Sequence, residues 1–457
     1  MQRLIDALGA DAVKTEPEDL SVYSFDAYSQ GRLPKAVVLP AGTLDVAAAV
    51  KIAKDCAEPI VARGAGTGLC GGAIPAQGGV VFSFARMNRL LELDARNRRA
   101  RVQPGLINLE LSRQTAHAGL FYAPDPSSQK TSTIGGNIGT NAGGPHCLSY
   151  GTTVNHVLGL EIVDENGDVL QTSVEDTGYD LTGVLVGSEG TLGIVCSAWV
   201  RLLKQPESVR VWLAGFPDVE TASEGVSAII GAGIVPTALE MMDHLALELI
   251  EAAFHSGYPT DAGAVLLVES AGFEDDLQTY EAEIERIVRG AGATSWRSAR
   301  SQAERDALWA GRKGAFGAAG RVAPNYYLQD VVVPRTKLPR ALSAVETACD
   351  SRGIKVANVF HAGDGNLHPL LMYDRSNQRE AAAVIDAGNE ILQAAVDLGG
   401  TISGEHGIGY EKRGSLTRIF STGDLAAMAG VREVFDPRRM LNPEKIFPAG
   451  AGCGEVR

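Results

Sequence analysis

Two histidines in the stretch "VANVFHAGDGNLHPLLMY", His361 and His368, are the residues in this chain whose spacing most directly suggests chemistry. Asp364-Gly365 between them is a favoured hairpin turn dipeptide. A two-residue loop there pairs Gly363 with Asn366, Ala362 with Leu367, and His361 with His368. The two imidazoles then face each other with Cβ atoms roughly 5 Å apart, a separation that suits one shared metal ion. A surface hairpin with incidental histidines is the alternative. Against it, the chain has only eight histidines, and two facing imidazoles with nothing between them repel when both protonate.

The stretch "GGTISGEHGIGYEKR" adds Glu405 and His406, between Gly404 and Gly407. Two imidazoles and a carboxylate make a three-ligand site with open positions, as a catalytic divalent ion requires. On that reading Glu405 is the third ligand and His406 stays available as a general base. An equally good reading places Glu405 in a helix-capping loop, accepting from backbone N–H groups. In "ALWAGRKGAFG", Arg312 falls near the end of a helix, after Trp309. An Arg there can clamp a substrate carboxylate with two parallel hydrogen bonds. Taken alone, an Arg on a helix is more often a solvated surface charge.

Stepwise along the chain, the elements fall into an α+β arrangement. "KAVVLP" is a strand, and Thr43 is a natural N-cap for the helix "LDVAAAVKIAKDC". "PIVAR", "GVVFSF" and the pair in "LLELDARNRRARVQP" are further strands, and "LINLELSRQTAHAGL" is an amphipathic helix. "VLGLEIVDENGDVLQT" reads as a hairpin with Asn166-Gly167 in a type I′ turn. Three glycine-rich loops lie in this block: residues 62–79, 131–151 and 187–195. After Gln205-Pro206 longer helices alternate with strands such as "AVLLVES", "YLQDVVVP" and "IKVANVF". The expected division is 1–205, 206–415, and a C-terminal segment 416–457 that returns to the first domain.

The first glycine loop contains a literal GxGxxG at Gly66, Gly68 and Gly71. A Rossmann turn must open a helix after such a fingerprint. Here Ala73, Ile74 and Pro75 follow, and then another strand. The fingerprint fails its own test, although close backbone approach to a ligand remains the natural use of so many glycines.

The bulk properties limit the choices. At 457 residues, two or three domains are expected. A net charge of −14 argues against a nucleic-acid partner or an anionic membrane surface. The early apolar stretch is interrupted by Asp6 and Asp11, so no signal peptide is expected, and no apolar run is long enough to span a membrane. Cys56, Cys70, Cys147, Cys196, Cys349 and Cys453 are scattered without cluster spacing and read as reduced thiols.

Eight motifs in order, "ARGAGTGLCGGAIP", "APDPSS", "TIGGNIGTNAGG", "GSEGTLGIV", "WAGRKGAF", "FHAGDGNLHP", "SGEHGIGYEK" and "LNPEKIFP", make nearly the whole chain resemble a known family. This is the FAD-linked D-2-hydroxy acid dehydrogenases of the vanillyl-alcohol oxidase type, its glycolate-oxidising branch first and its D-lactate dehydrogenases next. The resemblance implies a vanillyl-alcohol oxidase type FAD-binding domain followed by an α+β substrate (cap) domain. It places FAD contacts on Arg63, Gly64, Ala65, Gly66, Thr67, Gly68, Leu69, Gly71 and Gly72, on Pro124, Asp125 and Ser127, and on Thr133, Gly135, Gly136 and Asn137. Further contacts fall on Ala142, Gly143, Gly144, Glu189, Gly190, Thr191, Gly193, Ile194, Val195 and Asn442. The first loop holds no histidine to attach the flavin, so FAD is expected to be non-covalent. Family members bind a divalent ion, often zinc, through the counterparts of His361, His368 and Glu405; His406 matches the base and Arg312 the carboxylate clamp.

One branch of the family, acting on 2-hydroxyglutarate, reads His-Leu-Asn where this chain has His368-Pro369-Leu370, and carries a Lys near Leu328. Losing those polar groups argues for a small monocarboxylate, glycolate or D-lactate. The resemblance also implies a sister FAD-binding subunit and an iron–sulfur subunit, with a cytoplasmic protein reaching the inner face of the membrane only through them. A lone D-2-hydroxy acid dehydrogenase, a metal hydrolase and a non-catalytic flavin-binding subunit are the rival expectations.

Overall fold

In the computed structural model, which describes residues 1–27 and 30–448, the chain forms two compact units. The first comprises Met1–Gly144, Gly151–Gln205 and Glu405–Arg457, and the second Pro145–Tyr150 and Pro206–Gly404. The chain therefore returns to the first unit at Glu405, earlier than the expected 416, and lends six residues around His146 to the second. Cys453 lies outside the described residues.

The first unit holds two larger sheets and a two-stranded one that pairs Leu203–Lys204 with Leu120–Phe121. Strands β1 (Val13–Lys14), β2 (Ala36–Val38), β3 (Ile60–Arg63) and β4 (Val80–Ser83) form a sheet in the order β1-β2-β4-β3. β4 runs parallel to both β2 and β3. β2 and β4 are buried along their whole length, which is why their sequences are continuous apolar runs and not alternating ones. Helix α1 (Thr43–Asp55) buries Val46, Ala49, Val50 and Ala53 in a core shared with Val38, Ile60 and Phe82. The second sheet is antiparallel. It consists of β5 (Leu90–Asp94), β6 (Arg99–Val102), β7 (Val157–Val163), β8 (Val169–Ser173) and β9 (Ile194–Arg201) in the order β5-β6-β9-β7-β8. Leu111, Ile134 and Ile138 complete its core.

Two local expectations are corrected. Thr43 is the first helical residue and Gly42 the N-cap; the Thr43 hydroxyl donates to Glu161 Oε1 at 2.6 Å, a charged acceptor on β7. The β7–β8 turn is longer than type I′, which needs positive φ at both central residues. Gly167 is the one member of this turn at positive φ (77°). The Asp164 carboxylate accepts from Asn166 N and Asp168 N, each at 2.8 Å, so an Asx arrangement closes a loop over 164–168.

The second unit is built on an antiparallel sheet of β10 (Ser208–Phe216), β11 (Ala238–Asp243), β12 (Ala264–Gly272), β13 (Ser295–Ser298), β14 (Asn325–Leu328), β15 (Val331–Val332), β16 (Lys355–His361), β17 (Asn366–Leu367) and β18 (Pro369–Tyr373). Its order is β13-β10-β12-β11-β16-β17-β15, while β18 pairs with β14 and β16. Among the described residues no helix is long and apolar enough to cross a membrane.

Candidate active site

In the first unit the three glycine loops and the tail converge on one place. The first loop runs from β3 to β4 without an intervening helix, so the Rossmann alternative is excluded. Gly64 lies against the second loop: a Cβ there would stand 2.4 Å from Thr133 Oγ1. That hydroxyl caps helix α2 (Ile134–Thr140), accepting from Gly136 N at 3.2 Å. The glycine content of "TIGGNIGT" hid this short helix from sequence reasoning. Glu189 N donates to Gly139 O at 2.7 Å, joining the third loop to the second. Asn442 Nδ2 donates to Gly72 O at 2.8 Å and to Glu189 O at 2.6 Å, joining the tail to the first and third.

Around the second loop Asn137 Nδ2, Ser132 Oγ and Tyr122 Oη are buried without hydrogen-bond partners among the described residues. Burial pushes the Tyr122 phenol well above its ordinary range. Buried donors are rarely left orphaned. Converging close-approach glycine loops that carry orphaned donors fit a large anionic cofactor held by backbone and side-chain groups. Gly64→Ala is expected to fold but to purify with sub-stoichiometric flavin, because the added methyl must displace the Thr133 cap. The ratio of visible to ultraviolet absorbance checks this.

The loop carrying Glu405 and His406 belongs to the same unit. Glu189 Oε1 accepts from Ile408 N at 2.8 Å and Gly409 N at 3.0 Å, and Oε2 accepts from Gly409 N at 2.9 Å. Tyr410 N donates to Cys70 O at 2.8 Å. The backbone beyond His406 is thus stitched to the first and third glycine loops. His406 Nε2 lies 4.0 Å from Glu405 Oε1. Glu189, on the third glycine loop, is a carboxylate that serves backbone N–H groups of this loop.

In the second unit His361 and His368 do come together, with ring centroids 5.1 Å apart and planes at 86°. The register differs from expectation. His361 pairs with Asn366 and Asn358 with Pro369, so the hairpin loop has four residues, 362–365. The loop is held open by its neighbours: Gly363 N donates to Leu239 O, Val333 N to Gly365 O, and Arg335 Nη1 to Gly363 O. His368 then sits diagonally to His361 on the same face, still within reach.

Two carboxylates unforeseen from the sequence support this pair. Glu240 on β11 is directly opposite His361. Its Oε1 lies 2.7 Å from His361 Nδ1, and its Oε2 lies 2.5 Å from Arg312 Nη2. Burial alone would raise the Glu240 carboxyl, but the charges of Arg312 and His361 outweigh it and hold the group below its ordinary value. A carboxylate on Nδ1 fixes that imidazole so that Nε2 points onward, the usual arrangement behind a metal-binding histidine. Asp330, fully buried, places Oδ1 3.4 Å from His368 Nε2 and accepts at Oδ2 from Ser403 Oγ (2.8 Å) and Gly404 N (2.9 Å). It therefore holds the residues immediately before Glu405 in the chain. The imidazole pair with this donor set fits a divalent ion.

Arg312 is 1 % exposed, and its Nε has no partner among the described residues. Glu240→Ala would leave that cation buried without its carboxylate. The expected loss is about 3–5 kcal/mol of stability, measurable by denaturant unfolding of the full chain.

Residues 34–173 match the FAD binding domain, and residues 205–446 match the C-terminal domain of FAD linked oxidases. The chain is 43% identical over 451 residues to glycolate oxidase subunit GlcD of Escherichia coli (strain K12), covering 98% of this chain and 90% of that one. It is 32% identical to a D-lactate dehydrogenase of Anaerostipes hadrus, over 94% of this chain and 92% of that one. Its fold is that of p-cresol methylhydroxylase, solved with substrate bound, at a TM-score of 0.81 and 16% identity, covering 97% and 95% of the two chains. The α+β, vanillyl-alcohol oxidase type architecture expected from the motifs is the one observed.

Proposed function

The chain belongs to the FAD-linked oxidases, and on that premise we propose that it oxidises a small 2-hydroxy acid, glycolate or D-lactate, to the 2-oxo acid. The observation that carries this reading is the seating of the His406 loop on the first and third glycine loops through Glu189 and Cys70. On this reading His406, which belongs to the same unit as the glycine loops, is the proton acceptor. The names of the relatives, glycolate oxidase subunit and D-lactate dehydrogenase, supply the substrate class.

Each residue has a role in this proposal. FAD, held non-covalently by the glycine loops and Asn442, supplies the hydride acceptor. The Nε edge of Arg312, without a hydrogen-bond partner among the described residues, takes the substrate carboxylate, while Glu240 orients the guanidinium. His361 and His368 would hold a divalent ion, zinc in the first instance, with Glu405 as the third ligand that the motif implies, and the ion would supply Lewis acidity toward the α-hydroxyl. His406 takes the hydroxyl proton onto its imidazole. Leu328 and Leu370 stand directly opposite each other and are buried, so the two positions that are polar in the dicarboxylate branch form an apolar wall here. That wall favours a monocarboxylate.

The relatives called subunits support a multi-subunit setting. We place the chain beside a sister FAD-binding subunit and an iron–sulfur subunit that drains the reduced flavin, on the cytoplasmic side of a membrane it does not itself enter. The test is an anaerobic visible spectrum of the purified chain, before and after glycolate or D-lactate. Bleaching by one acid supports the reading and selects the substrate. Bleaching by neither, even after the partner subunits are added, removes it.

A further inference from the structure

Lys445 is fully buried in the tail motif "LNPEKIFP", and no role assigned above uses it. Its Nζ donates to Ile74 O at 2.8 Å, within the first glycine loop, and to Asn442 Oδ1 at 3.2 Å. Asn442 passes the connection to Gly72 O and Glu189 O, and Glu189 passes it to Ile408 N and Gly409 N. The bonds form one continuous path from the tail, through the first and third loops, to the backbone two residues beyond His406.

The path is built under constraint. Glu189 (φ 52°) and Asn442 (φ 41°) are non-glycine residues held in the left-handed region, which persists only where surroundings over-determine it. Gly409 cannot be replaced cheaply, since a Cβ would lie 2.0 Å from Cys70 O. Burial drives the Lys445 ammonium down to about 8 and the Glu189 carboxyl up, and each is the other's opposing charge. A buried pair of charges contributes little net stability compared with apolar residues of the same volume. Its use here is to fix geometry.

We propose that Lys445, Asn442 and Glu189 form a buried clasp that registers the His406 loop on the flavin-binding loops. Lys445 and Glu189 act as positioning residues for the base, through backbone and through Asn442. The clasp rests on the reading of His406 as the proton acceptor, so its test needs one readout independent of turnover.

The test uses the FAD-loaded full chain with Glu189→Met, which keeps the unbranched length and removes both acceptor oxygens. Amide hydrogen exchange across 405–411 is expected to speed up about tenfold or more as Ile408 and Gly409 lose their acceptor. Flavin content is retained, anaerobic flavin reduction falls about 10²-fold, and KM moves much less than kcat. Lys445→Met is expected to reproduce both changes in weaker form. The double variant should fall short of the summed effects, because neither charge is then left alone. Unchanged exchange in Glu189→Met overturns the clasp. Faster exchange with an unaltered reduction rate overturns its positioning role, and loss of flavin shows that the Glu189 side chain itself serves the cofactor contact expected at this residue, not the His406 loop. If neither acid bleaches the unaltered protein, the substrate reading falls, and the exchange result still decides whether the clasp exists.

Discussion

His406→Ala is expected to give a folded, yellow protein whose flavin is reduced about 10²- to 10⁴-fold more slowly than in the unaltered chain, the range general-base removal usually costs. The fold should survive because the bonds that seat the loop are made by other atoms. Ile408 N and Gly409 N bind Glu189, and Tyr410 N binds Cys70 O. His406 Nε2 and Glu405 Oε1 stand 4.0 Å apart, too far for a hydrogen bond between those two groups. Flavin content should match the unaltered protein, since the orphaned donors around the second loop are untouched. Added imidazole should restore part of the rate, because a missing proton acceptor can be supplied from solution whereas a distorted site cannot. Anaerobic stopped-flow at 450 nm reads the rate ~ directly. Full-rate reduction in His406→Ala would move the base to another residue while leaving the flavin site intact.

What the sequence made legible follows from how local each signal is. Glycine loops, strand runs and the two histidines lie within short stretches, and periodicity or turn chemistry reads them. The register of the His361 hairpin was misread by two residues because the turn is decided by partners far away in sequence, Leu239, Val333 and Arg335. The supporting carboxylates were missed for the same reason. Glu240 meets His361 across 121 residues, and Asp330 meets Ser403 across 73. A signal was present in each case: both acids interrupt apolar strand sequences, "ALEMMD" and "LQDVVVP". An acid in a fully buried strand must be paired or bound, so such interruptions mark places where a partner has to be found. Lys445 carries the same message in the tail, where a cation with 0% exposure has to answer to a carbonyl and a carboxylate.

That rule carries the second large effect, on metal retention. The unaltered chain is expected to purify with one tightly held divalent ion, and His361→Ala or His368→Ala to purify without it. Asp330→Asn is the finer probe. It retains the size of the side chain and can still accept from Ser403 Oγ and Gly404 N, but it removes the charge beside His368 Nε2. Loss of such an orienting carboxylate costs about 10- to 100-fold in metal affinity, read by competition with a chromophoric chelator and needing no substrate. Flavin content should not change, because Asp330 and both histidines belong to the second unit and the glycine loops to the first. If Asp330→Asn holds its metal as tightly as the unaltered chain, Asp330 is only a tie for the 403–404 backbone. If it loses the ion as completely as His368→Ala does, Asp330 is itself a ligand, and the donor set is two imidazoles with two carboxylates competing for the same ion.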